Sequence, residues 1–311
     1  MEKYYNYEDL SGVVPIVRPR LMLDRLAVNP EAGQVRAVKT VSIDEQLFVG
    51  HFPGNPILPG VLQVAAMLQA AKGLIGHRDG LERAREYSLS TAKKAKFRCP
   101  VYPGDRLDIT AQITQEDANT VTLQCDTSVA GTKTCEAILA IARQSARERP
   151  LTTDTFAPAL RDLGADKLAK PIDINTIMQR IPHRYPFLFI DRILLMDEKN
   201  HRIAALKNVT GNEPFFAGPN PAVLPGYVQA EIAAQAGCAL ALSEPGNENK
   251  LAVFMSIDQC HFYEAVIPGD QLLIDVKVTP RGRFGKGHGE LYVGTRLVSD
   301  IDLKFAIVDR E

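Results

Sequence analysis

An excess of charge of either sign is the first thing this chain lacks. It carries 36 basic and 37 acidic residues in 311, for a formal net charge of −1. A nucleic-acid surface normally needs a basic excess, so that class of partner is not expected. A local basic patch for an acidic partner is still allowed. Paired cysteines are also missing. The five cysteines, Cys99, Cys125, Cys135, Cys238 and Cys260, are odd in number and have no CxxC spacing. That fits neither a disulfide framework nor a structural zinc site, and points to reduced thiols in a cytoplasmic protein. His77, His201, His261 and His288 show no ligand spacing, so no metal is expected. The longest low-charge run, near residues 226–242, contains Glu231 and two glutamines. It is too short and too polar to span a bilayer. The N-terminal MEKYYNYEDLSG has no apolar core of the kind a signal peptide carries.

The chain does contain a long internal repeat. PIVRPRLMLDR (15–25) aligns with PHRYPFLFIDR (182–192), and VKTVSIDEQLFVG (38–50) with LKNVTGNEPFFAG (206–218). PGVLQVAAMLQ (59–69) aligns with PGYVQAEIAAQ (225–235), and KFRCPVYPGDRLDI (96–109) with HFYEAVIPGDQLLI (261–274). The offset drifts only from 168 to 165 residues. A period this long means duplicated domains rather than a solenoid. The expected division is residues 1–148, a charged and proline-bearing linker over 149–169, and residues 170–311. Each copy reads as a strand ending in Leu/Ile-Asp-Arg, a strand pair, a Gly/Pro-rich loop, an apolar helix after Pro-Gly, and several alternating strands. The helix from Val61 to about Ile75 is apolar nearly all round and therefore buried. This pattern predicts an α+β fold with an antiparallel sheet wrapped around a helix.

The two copies differ where chemistry would sit. The first has His51 in HFPGNPILPG, but Ala65 on its helix. The second has Glu231 at the position of Ala65, but Gly218 runs directly into Pro219 and Asn220 where the histidine would be. Taken singly, a histidine in a Gly/Pro loop is usually a turn residue, and a glutamate on an apolar helix can be an interface residue. A buried unpaired carboxylate is costly, however, which favours a functional role for Glu231.

HFPGNPILPGVLQ and PHRYPFLFIDR, with NEPFF (212–216) and the PVYPGD and VIPGD turns, resemble the FabZ-type (3R)-3-hydroxyacyl-[acyl-carrier-protein] dehydratases of the hot-dog fold. The resemblance implies two hot-dog domains forming a pseudo-dimer, with the active site between them. His51 then matches the family histidine and Glu231 the family glutamate, so the copies hold complementary halves of one site. Gly60 matches the glycine whose N–H polarises the thioester, with the helix dipole behind it. Ile57 is expected to orient His51 through its carbonyl, and Val61 and Gln235 to position substrate; Gln235, at i+4 on the same helix face, is also placed to hold the Glu231 carboxyl by a hydrogen bond. His183 is expected to be structural or pocket-lining, because its first-copy counterpart is Ile16.

The residues suit dehydration. Neutral imidazole can take a C2 proton. Burial of Glu231 among alanines would raise its pKa and let it protonate the leaving hydroxyl. No cofactor is implied beyond the phosphopantetheine arm that carries the substrate on acyl carrier protein. Lys93, Lys94, Lys96 and Arg98 are either a solvated face or the carrier's docking patch. A non-catalytic acyl-binding protein and a thioesterase are the alternative readings. Further homo-oligomerisation is left open.

Overall fold

The structure, a computed structural model, describes residues 1–16, 19–143, 171–213, 223–247 and 250–309. The expected linker at 149–169 and the shortened loop at 218–220 lie outside those residues. Among the described residues, thirteen strands form a single sheet in which every pairing between strands is antiparallel. The first copy contributes β1 (Lys3–Tyr5), β2 (Arg25–Asn29), β3 (Gln34–Thr40), β4 (Tyr87–Phe97), β5 (Arg106–Glu116), β6 (Thr120–Val129) and β7 (Thr132–Arg143). The second contributes β8 (Arg192–Asp197), β9 (Arg202–Asn208), β10 (Lys250–Phe262), β11 (Gln271–Arg281), β12 (Phe284–Val293) and β13 (Arg296–Asp309). The order is β1-β2-β3-β5-β6-β7-β4-β10-β13-β12-β11-β9-β8.

The halves join where β4 pairs with β10. Thr91 faces His261 and Lys96 faces Ser256. An offset of 165 residues maps Thr91 onto Ser256 and Lys96 onto His261. The two pairs are therefore images of each other, as a pseudo-twofold axis between β4 and β10 requires. Neither strand stands out in the sequence. In β4 the buried residues of TAKKAKF are only Ala92 and Ala95, and the pairing with β7 shifts register between Lys93 and Lys96. A bulge of this kind breaks the two-residue alternation.

Each half wraps its sheet around one helix, Gly60–Asp79 or Gly226–Ala241, and the two helices contact each other. Buried polar groups on them are satisfied, as burial requires. Gln63 accepts from Thr127 and Thr134 at 2.7 and 2.8 Å, and Gln229 at the matching position accepts from Ser299. The recurring sequence motifs are structural in both halves. Lys39–Glu45 and Lys207–Glu213 are equivalent partly buried ion pairs at 2.8 and 2.6 Å. Gly104 and Gly269 adopt φ of 100° and 98°, which favours glycine at the PGD turns. Asp105 and Asp270 close those turns by accepting from Tyr102 N and Ile267 N.

β12 begins at Phe284, within a glycine-rich stretch. RFGKGHGE reads as a loop by composition. Its glycines lie instead on the inward face, where a Cβ at Gly285 would come within 2.3 Å of the Phe305 ring and one at Gly287 within 2.9 Å of Leu303. Glycine here makes room for two larger residues that line the cavity described next.

Candidate active site

His51 follows the short helix Leu47–Gly50 and is pinned by its own loop. Its Nδ1 lies 2.7 Å from the carbonyl oxygen of Ile57, while Ile57 N donates back to His51 O at 3.1 Å. A carbonyl can only accept, so Nδ1 carries the hydrogen and Nε2 keeps its lone pair. Leu58 N donates to Val101 O at 2.8 Å and ties the loop to the PGD turn. The ring is stacked on Phe52 at 3.9 Å between centroids and meets the edge of Phe187 at 5.2 Å. Burial in this aromatic box, with His183 nearby, lowers the His51 pKa to about 4 against a smaller upward pull from Glu231. The imidazole is thus neutral at pH 7.

Glu231 lies on the second central helix and is 5% exposed. Gln235, one turn on, donates from Nε2 to Glu231 Oε1 at 2.8 Å. Gln235 is itself fixed, since Nε2 also donates to Phe187 O and Oε1 accepts from Phe189 N, both at 2.9 Å. His183 Nε2 lies 3.4 Å from the same Oε1. The carboxyl differs from the sequence expectation. Burial pushes its pKa up, but the hydrogen bond and charge interaction with His183, the nearby His51 ring and the Gln235 amide together outweigh burial and hold it below the ordinary value. The resting site therefore pairs neutral His51 with an ionised Glu231, rather than a base with a protonated acid.

Both groups face one cavity of about 510 Å³, within the usual range for a small-molecule site. His51, Ile57, Gly60 and Phe97 enter from the first half, and His183, Glu231, Gln235 and Phe254 from the second. Phe97 and Phe254 meet at 5.2 Å and form an apolar wall. Gly60 opens the first central helix after Pro59, and its N–H has no hydrogen-bond acceptor among the described residues. Its lack of a side chain has a second cause. A Cβ there would come within 2.8 Å of the Phe97 ring, just as one at Gly226 would come within 2.7 Å of Phe262.

Of the expected site residues, Val61 is placed differently, while Gln235 and His183 line the cavity as expected and make further contacts. Val61 is fully buried in the core and does not line the cavity. Gln235 holds the Glu231 carboxyl as its i+4 position allows, and it also bonds the 187–189 backbone. Gln69, its counterpart, makes the same backbone bonds to Met22 N and Arg20 O, both at 2.8 Å. His183 reaches the carboxylate directly. The sequence hid this because Ile16 at the matching position suggested packing. Of the basic run, Lys93, Lys94, Lys96 and Arg98 are exposed, and only Arg98 reaches the cavity. Lys96 and Arg98 both pair with Glu136, at 3.3 and 2.5 Å, which reduces the patch's charge. Away from the cavity, His288, Asp300 and Asp302 form the group among the described residues whose geometry could hold a metal ion. It is assembled across two strands, so spacing along the chain does not reveal it.

Comparison with known proteins gives a consistent result. The FabZ 3-hydroxyacyl-[acyl-carrier-protein] dehydratase of Desulforamulus reducens is 47% identical over 139 residues, which are 44% of this chain and 97% of that protein. The same-named protein of Staphylococcus aureus strain Newman is 44% identical over 140 residues, 44% of this chain and 95% of its own. Among solved structures, the dehydratase domain from the CurJ module of curacin polyketide synthase aligns with a TM-score of 0.60 at 16% identity, covering 93% of this chain and 96% of that one. The dehydratase domain of PpsC from Mycobacterium tuberculosis aligns with a TM-score of 0.59 at 17% identity, covering 95% of this chain and all of that one. These structures share the double hot-dog fold, in which a single dehydratase domain spans both halves. The FabA-like domain model matches residues 17–138 and again 181–302, and with both repeats matched the chain belongs to the FabA-like domain family.

Proposed function

We propose that this protein is a lyase that converts a (3R)-3-hydroxyacyl thioester on acyl carrier protein to the trans-2-enoyl thioester and water, at one site shared by its two halves. The observation that carries this reading is the meeting of His51 from one copy and Glu231 from the other in one apolar cavity. His51 Nε2 takes the C2 proton. The C2–C3 double bond forms as the C3–O bond breaks. The imidazolium, steadied by the Glu231 carboxylate, then returns the proton to the leaving oxygen, which departs as water. Gly60 N–H and the helix dipole stabilise charge on the thioester oxygen, a contribution worth about 3 kcal/mol for one such donor. Arg98 lines the cavity and Lys93, Lys94 and Lys96 are exposed on the strand before it, so this run would dock an acidic carrier, with charge steering as the support for that role. Five unpaired thiols suit a reducing compartment such as the cytoplasm. No further cofactor is needed for this chemistry.

The test is incubation of the purified protein with a 3-hydroxyacyl-carrier thioester. Enoyl product supports the lyase. Free thiol would indicate hydrolysis, and binding without turnover would indicate an acyl-binding protein. The pH profile has a definite sign. His51 must be neutral to act, and its pKa is lowered to about 4. kcat/KM should therefore fall as pH drops through about 4 and stay level from there to neutrality. A limb near the unperturbed histidine value, about 6.5, would contradict the aromatic box around His51.

The mirror position is expected to be inert. Ala65 is fully buried, and Ile16 stands where His183 would hold a carboxylate. Ala65→Glu should destabilise the fold by a few kcal/mol, roughly the cost of an uncompensated buried carboxyl, without adding activity. A doubling of turnover per chain would refute the single-site reading.

A further inference from the structure

We propose that His183 is a positioning residue that, with Gln235, clamps one oxygen of Glu231 so that the other is presented to the substrate's C3 hydroxyl. This rests on the dehydratase reading above. Both contacts fall on Oε1, from Gln235 Nε2 at 2.8 Å and His183 Nε2 at 3.4 Å. Oε2 has no hydrogen-bond partner among the described residues, yet it is not a buried orphan. Its open side is the cavity that Glu231 lines. Because Gln235 is bonded to the backbone of both Phe187 and Phe189, it cannot swing away, and the carboxylate is held from two directions.

The duplication provides an internal control. Gln69 and Gln235 make the same two backbone bonds in their respective halves, so the glutamine is needed for the fold wherever the repeat occurs. The imidazole behaves differently. Where Ala65 replaces the carboxylate, Ile16 replaces His183. The histidine is lost together with the acid while the glutamine stays, which a packing role does not explain. His183 also leaves its Nδ1 buried without a partner among the described residues, at 6% exposure. A purely structural residue at this position would avoid that cost. The ring meets His51 edge-on at 5.7 Å and Phe52 at 5.0 Å, so it touches both halves of the site. The titratable groups facing Glu231 are His51 from the loop after Leu47–Gly50, His183 from the segment before β8, and Cys238 from its own helix. His183 takes part in no bond change; it fixes the carboxylate's orientation and its ionised state.

Infrared titration of the protonated carboxyl band in substrate-free protein tests this, with the band identified by its loss in Glu231→Gln. His183→Phe should move the titration to higher pH and lower kcat roughly 10- to 100-fold, the usual range for an outer-shell partner, with little change in KM. His183→Gln, whose amide N–H reaches the place of Nε2, should recover much of kcat. An unchanged titration, or a His183→Phe effect on kcat undiminished in a Glu231→Gln background, would overturn the clamp. If His183→Phe does not fold, His183→Gln and His183→Asn decide the matter, because the Asn amide cannot reach the carboxylate. Equal kcat in those two would overturn the proposal. A shifted titration in a protein without dehydratase activity would sink the functional reading and leave the clamp standing. Normal dehydration by His183→Phe would do the reverse.

Discussion

Replacing His51 by Ala, or Glu231 by Gln, is expected to lower kcat/KM by roughly 10²- to 10⁴-fold, the usual contribution of a positioned acid–base group. Each change should leave the fold intact. His51 lies on a loop whose other bonds, Leu58 N to Val101 O among them, do not involve the ring. Gln is close to Glu in shape and can still accept from Gln235. The two losses should not add, because the groups act on one proton in one cavity. The double variant should be about as active as the worse single variant. Steady-state kinetics with a 3-hydroxyacyl-carrier substrate, alongside thermal melts, measures this. Two full, independent losses would mean that each group serves a different site.

Gly50→Ala is expected to lose roughly 100-fold in activity although neither catalytic side chain is changed. Gly50 precedes His51 in the chain and packs against the segment that carries His183. Arg184 N donates to Gly50 O at 3.0 Å. A Cβ on Gly50 would lie 2.1 Å from Arg184 O and 3.0 Å from Phe187 N. Those are backbone atoms and cannot rotate aside. Arg184 is also anchored, since its guanidinium donates to the carbonyls of Ile181, His183 and Met178. The added methyl must therefore push the His51 loop away from the 183–187 segment. A displacement of about 1 Å at a reacting pair can cost roughly 100-fold in rate. The overpacking itself should destabilise the protein by ~1–3 kcal/mol. Gly54→Ala is a suitable control for mutating the same loop, because a Cβ there meets nothing within 4 Å, although its φ of 78° carries backbone strain. Wild-type kcat in Gly50→Ala would show that this contact does not set the site's geometry.

Much of the fold was legible in the sequence because the chain states it twice. Aligning PGVLQVAAMLQ with PGYVQAEIAAQ is enough to locate both central helices and to show that Ala65 and Glu231 occupy one position. The strands that unite the halves were not legible. β4 buries only alanines in its lysine-rich stretch and contains a bulge, while an irregular register also interrupts the pairing of β10 with β13. Periodicity fails at such places because the backbone, not the side-chain pattern, holds the joint. In the site, His51, Glu231 and Gly60 could be read from position within the motif. The protonation of Glu231 could not. Its helical neighbours in sequence are apolar and suggest a raised pKa, but the group that lowers it, His183, is 48 residues away along the chain. Val61 was misplaced for a related reason. It follows the glycine at the helix start, yet the helix turns it into the core rather than the cavity.

The central claim is that His51 and Glu231 of the same chain form the one working site. Mixing purified His51→Ala with purified Glu231→Gln, at equal concentration and after a denaturation and refolding step, tests it most directly. If the site is built within each chain, both variants are inactive alone and the mixture is inactive too. Recovery of dehydration in the mixture would show that the histidine of one chain works with the glutamate of another, and would contradict the account.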